Sequence, residues 1–170
     1  AYDEILANFI VLSEVRKKIK RIKKKKKTYK GFFFNKIIKS LEFTLTKGQK
    51  KIIDTINSDL KSEFKMFRLL QGDVGSGKTI VAFLTAANVI ESKNQVAFMA
   101  PTEILAKQHF YLAKKIFKNT NIIIEFISGK TDLAKKKKIQ SDLAKGKINF
   151  LIGTHALFQK NITFNKLGLA

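Results

Sequence analysis

The chain has 170 residues, 45% hydrophobic and 28% charged, with 34 basic against 13 acidic side chains and a net charge of +21. That length suits one ordinary domain core of the soluble, globular class. The absence of cysteine excludes a disulfide framework and thiolate metal sites and fits a reducing cytosol, and no apolar stretch reaches the length of a membrane span, so no membrane partner is expected.

The first residue is Ala1, and "AYDEILANFIVLSEVRKK" has acidic residues in the wrong place for a signal peptide. An N-terminal truncation is the expected reading. Residues 1–27 read as a helix, with Ile5, Leu12 and Ile19 recurring every seven positions, Val15 and Ile22 beside them and Asn8 breaking the second row. The helix is expected to run into "KKKKK" at 23–27 as a solvated end favoured by the helix dipole. "GFFF" at 31–34 fits a membrane-surface anchor beside a basic run, but the preferred reading is a hydrophobic segment docking on the next domain. Residues 35–42 read as a short helical connector, which makes 1–42 a helical linker with its boundary near Phe43.

From there strands and helices alternate. Helices are expected over 47–60, 79–90, 102–118 and 131–145, and strands over 67–71, 95–100, 121–127 and 148–153. Such alternation means crossover units and a parallel α/β sheet flanked by helices. The net charge points to partners with phosphate backbones, whose counterions lysines release on binding, although a lysine-, Phe-, Ile- and Asn-rich composition also follows from genomic base bias. The lysines at 135–138 read equally well as a solvated face.

The pattern G-x-x-x-x-G-K-[ST] is met by Gly72, Gly77, Lys78 and Thr79, between an expected strand and an expected helix. Glycines let the backbone turn with positive φ and approach phosphates closely. The segment Gly72-Asp73-Val74-Gly75-Ser76-Gly77-Lys78-Thr79 is therefore read as a nucleotide-binding loop. Its amides form an anion nest at the positive end of a helix. Lys78 reaches the β- and γ-phosphates of ATP as a mobile charge, and Thr79 offers its hydroxyl to Mg²⁺. These two are the candidate catalytic residues.

"MAPTEILAKQH" (99–109) lies at the next strand-to-helix junction and "IGTHAL" (152–157) at the end of a later strand; both resemble motifs Ia and Ib of superfamily 2 helicases. Together with "LLQGDVGSGKT" they resemble the bacterial RecG family of branched-DNA translocases. "FTLTKGQ" (43–49) falls where that family carries its Q-type motif, and the opening helix resembles its helix joining wedge domain and motor. The resemblance implies a RecA-like first motor domain over 43–170, an ATP- and Mg²⁺-dependent DNA helicase on branched double-stranded DNA, and a cytoplasmic monomer. It implies that Gln49 reads adenine, the alternative being a solvated helix glutamine. It implies that Thr102, Glu103, Thr154 and His155 contact or couple to DNA, although Thr102 and Glu103 also suit a plain helix start. His109 reads as a packing residue, and two histidines without cysteine do not make a zinc site.

The transcription-repair coupling translocase shares the "GDVG-GKT" and "GTH" patterns and is the alternative, but it typically has Phe at the position of Ser76 and Pro-Thr-Thr where this chain has Pro101-Thr102-Glu103. In the family an acidic Asp-Glu-x-His motif would come after "NKLGLA". The expectation is therefore a domain truncated before that motif, inactive alone, which leaves a non-catalytic nucleotide- and nucleic-acid-binding module as a third reading. Glu125 is not expected to substitute, since alternation turns it to solvent.

Overall fold

The computed structural model describes residues 2–170 and gathers the strands into one parallel sheet. The strands are β1 (Gln95–Met99), β2 (Ile124–Ile127), β3 (Phe150–Gly153) and β4 (Leu167–Leu169), in the order β2-β3-β1-β4. The helices are α1 (Tyr2–Arg21), α2 (Phe32–Ser40), α3 (Lys47–Lys61), α4 (Lys78–Glu91), α5 (Glu103–Ile116) and α6 (Leu133–Ala144). Alternation along the strands supplies two buried faces. Val96, Phe98, Phe150, Ile152 and Ile124 meet α2 to α5 in one core, while Leu151 and Ile127 meet Ile139 and Leu143 of α6 in a second. The result is a sheet with helices on both sides.

The crossover pattern read from the sequence is present, with three corrections. The first concerns residues 67–71, expected as a strand. Among the described residues they join no ladder, although Met66 and Leu70 lie against the core. An apolar groove of about 410 Å³ is lined by Met66, Arg68 and Leu70 together with Val96–Met99 and Leu169. β4 pairs with β1 only at Gln95 and Val96, so no ladder extends across that groove. Arg68 instead ties the segment to α3, its Nε donating to Asp59 Oδ2 at 2.9 Å.

The second correction concerns the lysine run. α1 stops at Arg21, and Lys23 to Lys27 run extended beside the end of α3. Lys23 bridges Phe64 antiparallel, and the Lys24 and Lys27 amides donate to the Glu63 and Leu60 carbonyls. The Lys24 ammonium donates to Leu60 O at 2.7 Å and Ser62 O at 2.8 Å, so it satisfies carbonyls at the C-terminus of another helix. Burial holds its pKa below the ordinary lysine value, with Asp59 opposing. Two of the five lysines, Lys24 and Lys27, are half-buried rather than solvated. Of the stripe predicted over 1–27, Leu12, Val15 and Ile22 are exposed, and the side chains of Ile5, Asn8 and Ile19 lie outside the described residues.

The third correction is that the phenylalanine cluster is helical. α2 begins at Phe32, and Phe33 and Phe34 pack on the core while Phe32 stays exposed. Ile37, on the same helix, is fully buried. The cluster thus docks inward. No described helix is long and apolar enough to cross a membrane.

Candidate functional site

α4 ends at Glu91 and β1 begins at Gln95, so the helix runs back along the sheet and its first turn lies at the carboxyl ends of the strands. That end of an open α/β sheet is where ligands bind. The loop before α4 takes its shape from two glycines, Gly75 at φ 81° and Gly77 at φ 82°, a left-handed conformation that side chains with a Cβ resist. Gly77 is the N-cap of α4. Among the described residues the amides of Gly75, Gly77, Lys78 and Thr79 donate to no backbone carbonyl. They are donors for an anion at a helix N-terminus.

Lys78 bends back over this loop. Its ammonium donates to Gly72 O and Asp73 O, each at 2.6 Å, and lies 3.5 Å from Ser76 Oγ. It is therefore held at the loop's centre by carbonyls that a stronger acceptor such as a phosphate can replace. Thr79 is the next residue, half-buried in the first turn. Asp73 is exposed and Val74 fully so.

Gln49 belongs to the same assembly. Thr46 and Gln49 form a capping box at the start of α3, with Gln49 Oε1 accepting from the Thr46 amide at 2.9 Å. The other end of the Gln49 amide, Nε2, donates to Ser76 O at 2.9 Å. Both ends of this side chain are engaged, and it locks the loop to α3 rather than lying solvated.

The remaining candidates sit on loops at the ends of the strands. Thr102 Oγ1 accepts from the Leu105 amide at 3.3 Å and caps α5. Glu103 pairs with Lys107 at 2.8 Å, and that hydrogen bond holds its carboxyl below the usual carboxylate range, with Ser128 and Lys130 adding to the effect. Glu103 thus faces the Lys107 and Lys130 cations. Ser128, Lys130 and Lys107 were not singled out from the sequence; only the four-residue spacing of Glu103 and Lys107 carried a signal. Thr154 and His155 come directly after β3, with Thr154 half-buried and His155 exposed at the start of a 3-10 turn, His155–Phe158. The Thr154 amide donates to Ile127 O at 3.3 Å and the Ala100 amide to Gly153 O at 2.9 Å, which draws the loops after β1, β2 and β3 together. His109 packs edge-on against Phe98 at 5.0 Å, and burial lowers its pKa. Among the described residues no His/Asp/Glu cluster could by itself hold a metal ion. Glu125 is half-exposed on the α6 face of β2, beside Lys135 and Lys138.

Gly153 makes this convergence possible. A methyl group there would run into the Ile127 carbonyl, which is backbone and cannot swing away. Gly153→Ala is expected to cost about 1–3 kcal/mol of stability through overpacking, read as a lower urea midpoint with an unchanged slope. An unchanged midpoint would show that the strands can separate freely at this point.

The DEAD/DEAH box helicase family matches residues 46–169. The ATP-dependent DNA helicase RecG of Thermotoga maritima is 42% identical over 169 residues, covering 99% of this chain and 22% of that protein. RecG of Aquifex aeolicus is 41% identical over 98% of this chain and 21% of its own length. A solved structure of RecG bound to a three-way DNA junction superposes with a TM-score of 0.88 at 41% identity, over 98% of this chain and 23% of that one. The chain thus spans about a fifth of the length of the curated relatives it matches. It carries the glycine-lysine loop in a parallel sheet of the same build, and it belongs to the DEAD/DEAH box helicase family, with RecG helicases as its similar relatives over nearly its whole length.

Proposed function

We propose that the chain is the nucleotide-cradling part of an ATP-dependent DNA helicase that acts on branched double-stranded DNA, as a monomer in the cytoplasm. The observation that carries this reading is the Lys78 ammonium held over a loop whose amides at Gly75, Gly77, Lys78 and Thr79 are free of backbone acceptors. That donor set fits a polyphosphate. Lys78 and the loop from Gly72 to Thr79 would hold ATP, the Thr79 hydroxyl would hold Mg²⁺, and Gln49 would read the adenine once released from Ser76. Bound Mg²⁺ supplies charge neutralisation at the transferring phosphate. Residues 1–42 are then a linker and 43–170 the first part of the motor domain.

DNA would lie across the loops at the carboxyl ends of the strands, against Thr102, Thr154 and His155. In that arrangement Glu103 acts indirectly, by holding Lys107 in place. The relatives' names and the junction-bound neighbour support branched DNA as the partner.

The test is binding to a synthetic three-way junction and to linear duplex of equal length over a range of potassium chloride. The net charge of +21 predicts a steep linear fall of log K with log salt, with a slope of about −0.9 per neutralised phosphate. The junction is expected to bind more tightly than the duplex, with no preference for base sequence. A flat salt response, or binding that tracks one base sequence, would overturn the DNA reading.

A further inference from the structure

The connector between α1 and α2 is fastened to the far end of the helix that carries Lys78. Glu91, the last residue of α4, accepts from the Lys30 amide through Oε1 at 2.7 Å and from the Phe33 amide through Oε2 at 3.3 Å. Gly31, the N-cap of α2, makes no side-chain cap bond, so Glu91 supplies the missing cap from another helix. One turn earlier on α4, Asn88 Nδ2 donates to Asn57 Oδ1 on α3 at 2.9 Å, and Tyr29 Oη donates to that same oxygen at 3.0 Å. Burial, then the nearby Glu91 carboxylate, push the Tyr29 hydroxyl up, which keeps it a donor.

Asn88 is 2% exposed, and its Oδ1 has no partner among the described residues. A buried amide left half-satisfied contributes less stability than an apolar side chain of its size. What it does supply is one fixed geometry among connector, α3 and α4. α4 is a rod of about 21 Å, buried at nearly every position from Ile80 to Ile90. A rod clamped at one end transmits displacement to the other, and the other end is Lys78.

We propose that Tyr29, Asn57, Asn88 and Glu91 are positioning residues for the nucleotide cradle, so that docking of the connector on α4 and occupancy of the cradle by nucleotide are thermodynamically coupled. This inference rests on the phosphate-cradle reading of residues 72–79. Coupling is reciprocal: a connector that stays docked raises nucleotide affinity, and nucleotide must hold the connector down by the same factor.

The test uses the 170-residue chain with a non-hydrolysable ATP analogue and Mg²⁺. Tyr29→Phe removes one hydroxyl and Glu91→Ala removes the borrowed cap; neither residue touches the cradle. Titration of the combined variant is expected to show affinity reduced by about fivefold or more. In the unaltered chain the analogue should slow hydrogen exchange of the Lys30 and Phe33 amides, and in Glu91→Ala this protection should vanish. Ile139→Val trims the separate core between α6 and the sheet, away from the connector and from residues 72–79; it should lower the melting temperature and leave affinity unchanged. Affinity within about twofold of the unaltered chain in the combined variant, with melting lowered as in Ile139→Val, would overturn the coupling and leave the cradle standing. Failure of the unaltered chain to bind the analogue would remove the cradle reading and the coupling together.

Discussion

Replacing Lys78 with alanine is expected to weaken Mg²⁺–ATP binding by roughly 10- to 150-fold, the equivalent of one hydrogen bond to a charged group at about 1.5–3 kcal/mol. Two effects set the size. The ammonium is the one cation placed over the Gly72–Thr79 loop among the contacts described, so its loss removes the charge that a triphosphate would meet. Against this, the same ammonium already donates to Gly72 O and Asp73 O, and nucleotide must compete for it. The net effect therefore stays below the full worth of a charge-assisted contact. Calorimetric titration of both proteins measures it, and Lys78→Arg separates charge from shape. Arginine keeps the charge but presents a planar fork to a loop fitted to a compact ammonium, so it should restore little. Equal affinities for the alanine variant and the unaltered chain would remove residues 72–79 as the nucleotide site.

Phe83→Ala is expected to lower stability by about 3–5 kcal/mol, a large share of the roughly 5–15 kcal/mol typical of a domain. Phe83 is fully buried on α4, just over one turn beyond Lys78. Its ring meets Phe98 of β1 at 5.5 Å and Phe150 of β3 at 5.7 Å, both edge-to-face, and Phe117 after α5 at 6.1 Å. Such pairs contribute beyond the area they bury. Four rings from four separate segments close on one point. Urea unfolding measures the loss, with Phe32→Ala as a surface control expected to fall within about 0.5 kcal/mol of the unaltered chain. A loss below about 1.5 kcal/mol would mean that the cluster collapses around the deletion.

How much of this was legible in the sequence varies with the range of the interaction. The shape of the glycine loop was legible because its requirements are local: glycines where φ is positive, then lysine and threonine on the first turn of a helix. The helices α3 to α6 were legible from the spacing of their apolar residues, to within about two residues at either end. The segment 67–71 was misread because an apolar run reports burial, whereas a strand needs a neighbour to pair with, and only the fold decides whether one lies alongside. Lysine favours helices, so 23–27 read as a continuation of α1; what stops the helix there is the end of α3, far away in sequence. Gln49 was legible as a motif position, but its bond to Ser76 O was not, because no pattern links residues 27 positions apart. The contacts of Tyr29, Asn57, Asn88 and Glu91 left no signature for the same reason.

The sheet order also governs how the protein comes to be folded. Every ladder of the described sheet is parallel, so none of its strands pairs with the next through a tight hairpin. β1 emerges directly after α4, yet Val96 waits for Phe150 and Gln95 for Leu167. Closing loops of that size precedes the reward of pairing, which makes assembly slow compared with helical bundles of similar size. During synthesis the apolar edges of β1 stand unpartnered while α5, β2 and α6 are still being made. The Phe83 cluster is incomplete over the same interval, because Phe117 and Phe150 have yet to appear. The helix that presents Lys78 is thus made before its seat on the sheet, which waits for β3 and β4.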